Sequence, residues 1–392
     1  MKAEQRLWAR REFFRLPLIG LGLIALQPWE AALCAAVAPE RLASARDVLK
    51  AIILEHAAAP DNPWLMIHGI RAMGKDFAVG NDPAVAYICR HYLKEQTING
   101  KTYLYIAVED EGHPNTFLSE GVLEAGVEPS YAFRVNERDY TIADCVNGAK
   151  ALFAFDPGTF NPDDLAWSLI VFAHTTDPGR DSWTNGYGTT IRLSEVVHFG
   201  MDALDKATTR FATAMHNGVL SDEPDSIHEF TCGGIHLIHG LGTCLRFGHM
   251  PGALADRMRP QYDILVWRLE SDSHYIDHHF ANISPQVSRK VSWMYLLDAK
   301  LKFLGHAFEA LNYARLFHLF TPTAAQEQVI ARAQEEFLRV IDDLGRARID
   351  DIKGDKTLFS YLIGDACHAY HGLTMAETTG VGQSNQSGAL SP

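Results

Sequence analysis

The chain has 392 residues, 47% of them apolar, enough to bury the core of one large domain or two medium ones. A formal net charge of −13 excludes generic nucleic-acid binding through a basic face. Nothing in the composition is fibrous. Only the closing stretch, within residues 376–392, lacks apolar periodicity and reads as a disordered tail.

At the N-terminus, Arg10-Arg11 precedes Phe13-Phe14 and a modest apolar stretch from Leu16 to Leu26. That stretch is too short to span a bilayer comfortably, and Pro17, Gly20 and Gly22 weaken it further. The arrangement resembles a twin-arginine export signal, which implies that residues 1–38 direct the protein to the periplasm or beyond. Ala36-Val37-Ala38 has the small-x-small form of a cleavage site, but Pro39 disfavours cutting there. Membrane contact is therefore expected only through residues 1–38, should they stay attached. With Cys34 in the signal, five of the six cysteines remain, and an odd count argues against a simple disulfide framework.

Helical periodicity dominates the rest. Helices are expected over 39–58, 61–77 (Asn62 or Asp61 as cap, Pro63 in the first turn) and 83–97. KTYLYIAVED (101–110) reads as a strand that YAFRVNERDYTI (131–142) could join as a small hairpin. Further helices follow over 141–153, 162–176, 190–217, 224–248, 252–281, 285–318, 322–346 and 355–374, separated by Pro- and Gly-rich breaks.

The motif His236-Leu-Ile-His239-Gly240-Leu241 returns as His368-Ala-Tyr-His371-Gly372-Leu373, with His68-Gly69 as a shorter relative. Three such steps on three helices suggest a repeated unit in which Gly lets helices approach closely. With the helix series and its Cys/His/Gly clusters, the chain resembles the (α/α) toroid proteins, a group that includes terpenoid cyclases, prenyltransferase β-subunits, lanthionine cyclases and polysaccharide lyases. The resemblance implies an all-α dominated fold: one toroid of helical hairpins over 39–375, with a small β-hairpin insertion.

EFTCGGIHLIHGLGTC (229–244) is the densest cluster of chemistry. If Thr231 caps a helix that Cys232 starts, Cys232 and His236 stand one turn apart and His239 one turn further on. Thiolate plus imidazole suits a transition metal, with zinc the default and copper or iron the alternatives. His274 and His278 repeat the four-residue spacing on the next long helix, where Glu270 and Asp277 could orient them. Counted from the turn at Pro251 at about 1.5 Å per residue, Cys232 and His274 fall at similar heights, so one ion shared by Cys232, His236 and His274 is expected.

Two loops complete the candidates. Glu109-Asp-Glu-Gly-His113 offers Glu109 and His113 as proton-transfer groups, and the Trp183 to Tyr187 loop offers Tyr187 for catalysis or stacking. The sequence supports a metal-dependent enzyme or metal-binding protein, acting on a small molecule or glycan. The alternatives are a glycan lyase or hydrolase, using for example Glu109 or Asp110 with Asp272, and a non-catalytic exported scaffold.

Overall fold

The computed structural model describes residues 37–220, 223–281 and 289–385. The expected export signal lies almost wholly outside them. Among the described residues no helix is long and apolar enough to cross a membrane.

The chain is predominantly helical. Helices α1 (Pro39–His56) and α2 (Pro63–Met73) are followed by a two-stranded β1–β2 pair (Ala78–Val79, Asp82–Pro83) and α3 (Ala84–Tyr92). Strands β3 (Leu93–Ile98) and β4 (Lys101–Ile106) pair with each other, and a single turn, α4 (Val108–Glu111), leads into a π-helix over Phe117–Leu123. A second hairpin, β5 (Ala132–Val135) with β6 (Arg138–Thr141), runs into α5 (Ile142–Leu152) and then α6 (Leu165–Thr175). The third, β7 (Ser182–Thr184) with β8 (Thr190–Arg192), precedes α7 (Leu193–His216). The chain continues through α8 (Ile235–Arg246), α9 (Ala253–Asp256), α10 (Met258–Ala281), α11 (Arg289–Leu316), α12 (Ala324–Arg346) and α13 (Lys356–Asn385).

Local signals explain the boundaries. The Asn62 side chain accepts from Leu65 N at 3.2 Å with Pro63 in the first turn, and Gly74, at φ +82°, ends α2. Reciprocal capping boxes, Thr141 with Asp144 and Thr323 with Gln326, start α5 and α12. Strand β4 differs from the expectation: it pairs with β3 across Asn99-Gly100, while 131–142 folds back on itself at Asn136-Glu137. Both turns place two residues at positive φ, which Asn99, Gly100 and Asn136 tolerate and Glu137 adopts at some cost, so each hairpin closes locally.

Two kinds of helix alternate. Helices α2, α6 and α8 are buried nearly all round, whereas α12 buries one face, along Ile330, Ala333, Phe337, Leu338, Val340, Ile341 and Leu344. The first kind forms a succession of neighbours. Helix α2 packs on the π-helix, the π-helix on α6, α6 on α8, α8 on α11, α11 on α13, and α13 again on α2. The others lie outside it: α1 on α13, α3 on α2, α5 on α6, α7 on α8, and α10 and α12 on α11.

Candidate metal centre

Five of the six inner elements each supply two polar side chains three or four residues apart: His68 and Arg71, Glu120 and Glu124, His236 and His239, His306 and Glu309, His368 and His371. On a helix that spacing puts both on one side, one turn apart. The first member of every pair lines a cavity of about 210 Å³. The second members form a separate layer of ion pairs. Trp167 completes the cavity layer from α6, donating its indole N–H to Glu120 Oε1 at 2.9 Å.

In the charged layer, Arg71 bonds Glu124 and also donates from Nε to Glu309 Oε1 at 2.7 Å. Glu124 takes the Nε2–H of His239 at 2.8 Å, and Glu309 takes the Nδ1–H of His371 at 2.6 Å. Burial opposes ionisation of both glutamates, but Arg71 and the histidines outweigh it and hold each below the usual carboxylate range.

Three of the cavity histidines are held in one tautomer. His68 Nδ1–H donates to Trp64 O at 2.7 Å, His306 Nδ1–H to Lys302 O at 2.7 Å, and His368 Nδ1–H to Glu309 Oε2 at 2.8 Å. Because carbonyl and carboxylate oxygens only accept, each Nε2 keeps its lone pair. Burial lowers four of the cavity imidazoles: His68 to about 3, His306 to about 4, and His236 and His368 well below the ordinary value. They stand neutral, the form that binds metal. Burial also raises Glu120 to about 7 and pushes the Cys232 thiol well up.

Two sets of donors come together there. Ligand atoms of Cys232, His236 and His306 lie within 4.8 Å of one another, as do those of His68, Glu120 and His368. Glu120 Oε2 and His368 Nε2 are buried and have no hydrogen-bond partner among the described residues. Orphaned polar atoms of that kind are costly unless something occupies them.

Cys232 reaches its place by a route other than the expected helix. Thr231 caps nothing. Its N–H and hydroxyl both donate to Asp163, at 2.6 and 2.9 Å. Cys232, Gly233 and Gly234 then take three successive left-handed conformations, and α8 begins only at Ile235. For Cys232, at φ 50°, that backbone is strained. The turn is clamped by Arg268, which is 0% exposed and donates to Gly233 O at 2.8 Å. Asp272 neutralises Arg268 and accepts from His228 Nε2 at 3.2 Å, while His228 Nδ1 takes the N–H of Asp225.

The other sequence candidates fall elsewhere. His274 and His278 are exposed on α10 and do not join Cys232. The helix turns Arg268, Asp272 and Tyr275 to the cavity, and His274, two residues from Asp272, faces the opposite way. Glu270 pairs with Arg332, and Asp277 with Lys300, rather than with these histidines. His239 belongs to the charged layer instead of the cavity. Glu109 is exposed; its neighbour Glu111 is the buried one, accepting from Asn115 N and Phe117 N at the start of the π-helix. Asp110 pairs with Lys94, remote in partner from Asp272. Tyr187 is 51% exposed and outside the cavity, and Trp183 donates to Lys150 O while packing on Phe153 and Phe172. His113 does line the cavity, stacked on Trp167 at 3.8 Å between ring centroids.

His68, Glu120, His306 and His368 are not among the ligands expected from the sequence. The repeated motif held the signal for two of them. In both copies of HxxHGL the first His enters the cavity, the second joins the charged layer, and the Gly permits helix contact. A Cβ on Gly240 would lie 2.6 Å from Ala166 O, and one on Gly372 3.0 Å from Glu309 N.

Comparison with known proteins finds no matching family model, no matching curated protein and no matching solved structure.

Proposed function

We propose that this chain is a metal-dependent enzyme built on a closed (α/α) toroid, with a transition-metal centre at the floor of its central cavity. The toroid reading rests on the inner succession of six elements that returns to its start, with a second set of helices outside it. The metal reading rests above all on the tethered imidazoles. His68, His306 and His368 each fix Nδ1 on an oxygen and turn Nε2 inward, the arrangement by which proteins orient histidine ligands.

An enzyme fits better than a structural site because structural metals are enclosed by their ligands, whereas these donors border open space. Trp64, Trp167 and Tyr361 give that space apolar walls, and His113 and Lys302 give it polar groups, so the substrate is a small molecule with an apolar part. Zinc is the default ion for a mixed nitrogen, sulfur and oxygen set, with copper or iron the alternatives. Export by the twin-arginine route remains part of the proposal, resting on the N-terminal sequence alone. That route carries folded proteins, which suits a buried metal.

Elemental analysis of protein purified under reducing conditions tests the proposal. Stoichiometric transition metal in the wild type, and a clearly lower content in a folded His236→Ala/His306→Ala variant, are expected. A metal-free wild type that takes up no zinc, copper or iron would sink it.

A further inference from the structure

Six donors of the cavity fall into two sets of three. Ligand atoms on a single ion bound at about 2.0–2.3 Å stand no further apart than roughly 4.6 Å, the trans distance. The ligand atoms of Cys232, His236 and His306 lie within 4.8 Å of one another, close to that limit, and so, separately, do those of His68, Glu120 and His368. The sets share no residue, yet they adjoin: the His306 and His368 rings are 3.9 Å apart between centroids, and His236 Nδ1 is 3.7 Å from Glu120 Oε1.

We propose that the centre is dinuclear, with one ion held by Cys232, His236 and His306 and a second by His68, Glu120 and His368. This rests on the metal-centre reading and adds to it the number of ions and their division.

The second set carries its own evidence. Glu120 and His368 are each only 1% exposed, and each aims a buried atom without a partner among the described residues into the cavity. Trp167 occupies only Oε1 of Glu120, leaving Oε2 for a ligand. His68 and His368 are both braced through Nδ1. Two imidazoles and one carboxylate make a ligand set known for open, reactive ions, while the thiolate set is the softer of the two. Paired ions about 3.5–4 Å apart clamp both the attacking and the departing atom of a substrate. On ligation Cys232 and Glu120 each supply one negative charge, one to each set.

Cobalt(II) tests this, because only the Cys232 set can give thiolate-to-cobalt charge-transfer absorption. Chelator-treated full-length protein is reloaded with cobalt(II) anaerobically, desalted and analysed for cobalt. The wild type should hold two ions per chain and show the thiolate band. Cys232→Ser should lose the band and keep one ion. His68→Ala should keep the band and one ion, with Glu120→Gln as the second variant should His68→Ala lose its helical circular dichroism. A wild type that saturates at one cobalt overturns the dinuclear proposal while leaving a metal centre standing. Loss of both ions from a folded His68→Ala or Glu120→Gln protein also overturns it, since one shared site behaves that way. No cobalt at all would overturn the metal-centre reading as well.

Discussion

His368 donates from Nδ1 to Glu309 Oε2 at 2.8 Å, and this bond joins the cavity layer to the charged layer beneath it. Glu309 therefore orients a candidate ligand without touching the cavity. Glu309→Gln should weaken metal binding by about 10–100-fold, the usual effect of losing such a brace. A competition titration against a chromophoric chelator measures it, and unchanged affinity would contradict the role.

Arg71 is the cation between Glu124 and Glu309, and its side chain is almost fully buried. Removing it strands two buried carboxylates. Arg71→Met should destabilise the fold by about 3–5 kcal/mol, read as a lower urea midpoint with unchanged slope. A loss below about 1 kcal/mol would mean that the charged layer is solvated in a way its geometry does not suggest.

Cys232 is a non-glycine residue at φ 50°, a conformation costing about 1–2 kcal/mol. Cys232→Gly should leave the metal-free protein as stable as the wild type or more so, while abolishing the thiolate ligand. If Cys232→Gly instead lowers the melting temperature of the metal-free protein, the thiol contributes to packing rather than to binding.

Metal uptake should release protons and tighten with rising pH. Burial raises the Cys232 thiol and brings Glu120 to about 7, and both must shed protons to ligate. In the metal-free protein the sign runs the other way. Glu120, raised above its ordinary 4.5, supports the fold at low pH, and that support fades as pH climbs through about 7. Calorimetry in two buffers of different ionisation enthalpy near pH 7 reads the proton count. Proton uptake on metal binding would contradict the assignment.

Much of this was legible in the residues. Periodicity located most helices, but the helix expected over 224–248 begins only at Ile235, the one expected over 83–97 gives way to strand β3 at Leu93, and α13 runs on to Asn385; the HxxHGL echo marked two inner helices at the points where they meet their neighbours. Height along a helix was legible too: α10 does pass beside the Cys232 turn. Azimuth was not. Polar and apolar residues surround α10, so spacing alone could not tell that Arg268 and Asp272 face inward and His274 outward. The left-handed run at Cys232-Gly233-Gly234 was hidden because Thr231 looks like a helix cap, and its hydroxyl is claimed by Asp163, far away in sequence. Glu120 and His306 sit in unremarkable helical stretches, and only closure of the inner succession brings them to His68, His236 and His368.

Anomalous scattering from a crystal, recorded either side of the absorption edge of the metal that elemental analysis identifies, tests the central claim most directly. The account predicts peaks inside the cavity, bounded by Cys232, His236, His306, His68, Glu120 and His368. Density confined to a surface cluster such as Glu55, His56 and Asp350, with none in the cavity, would contradict it.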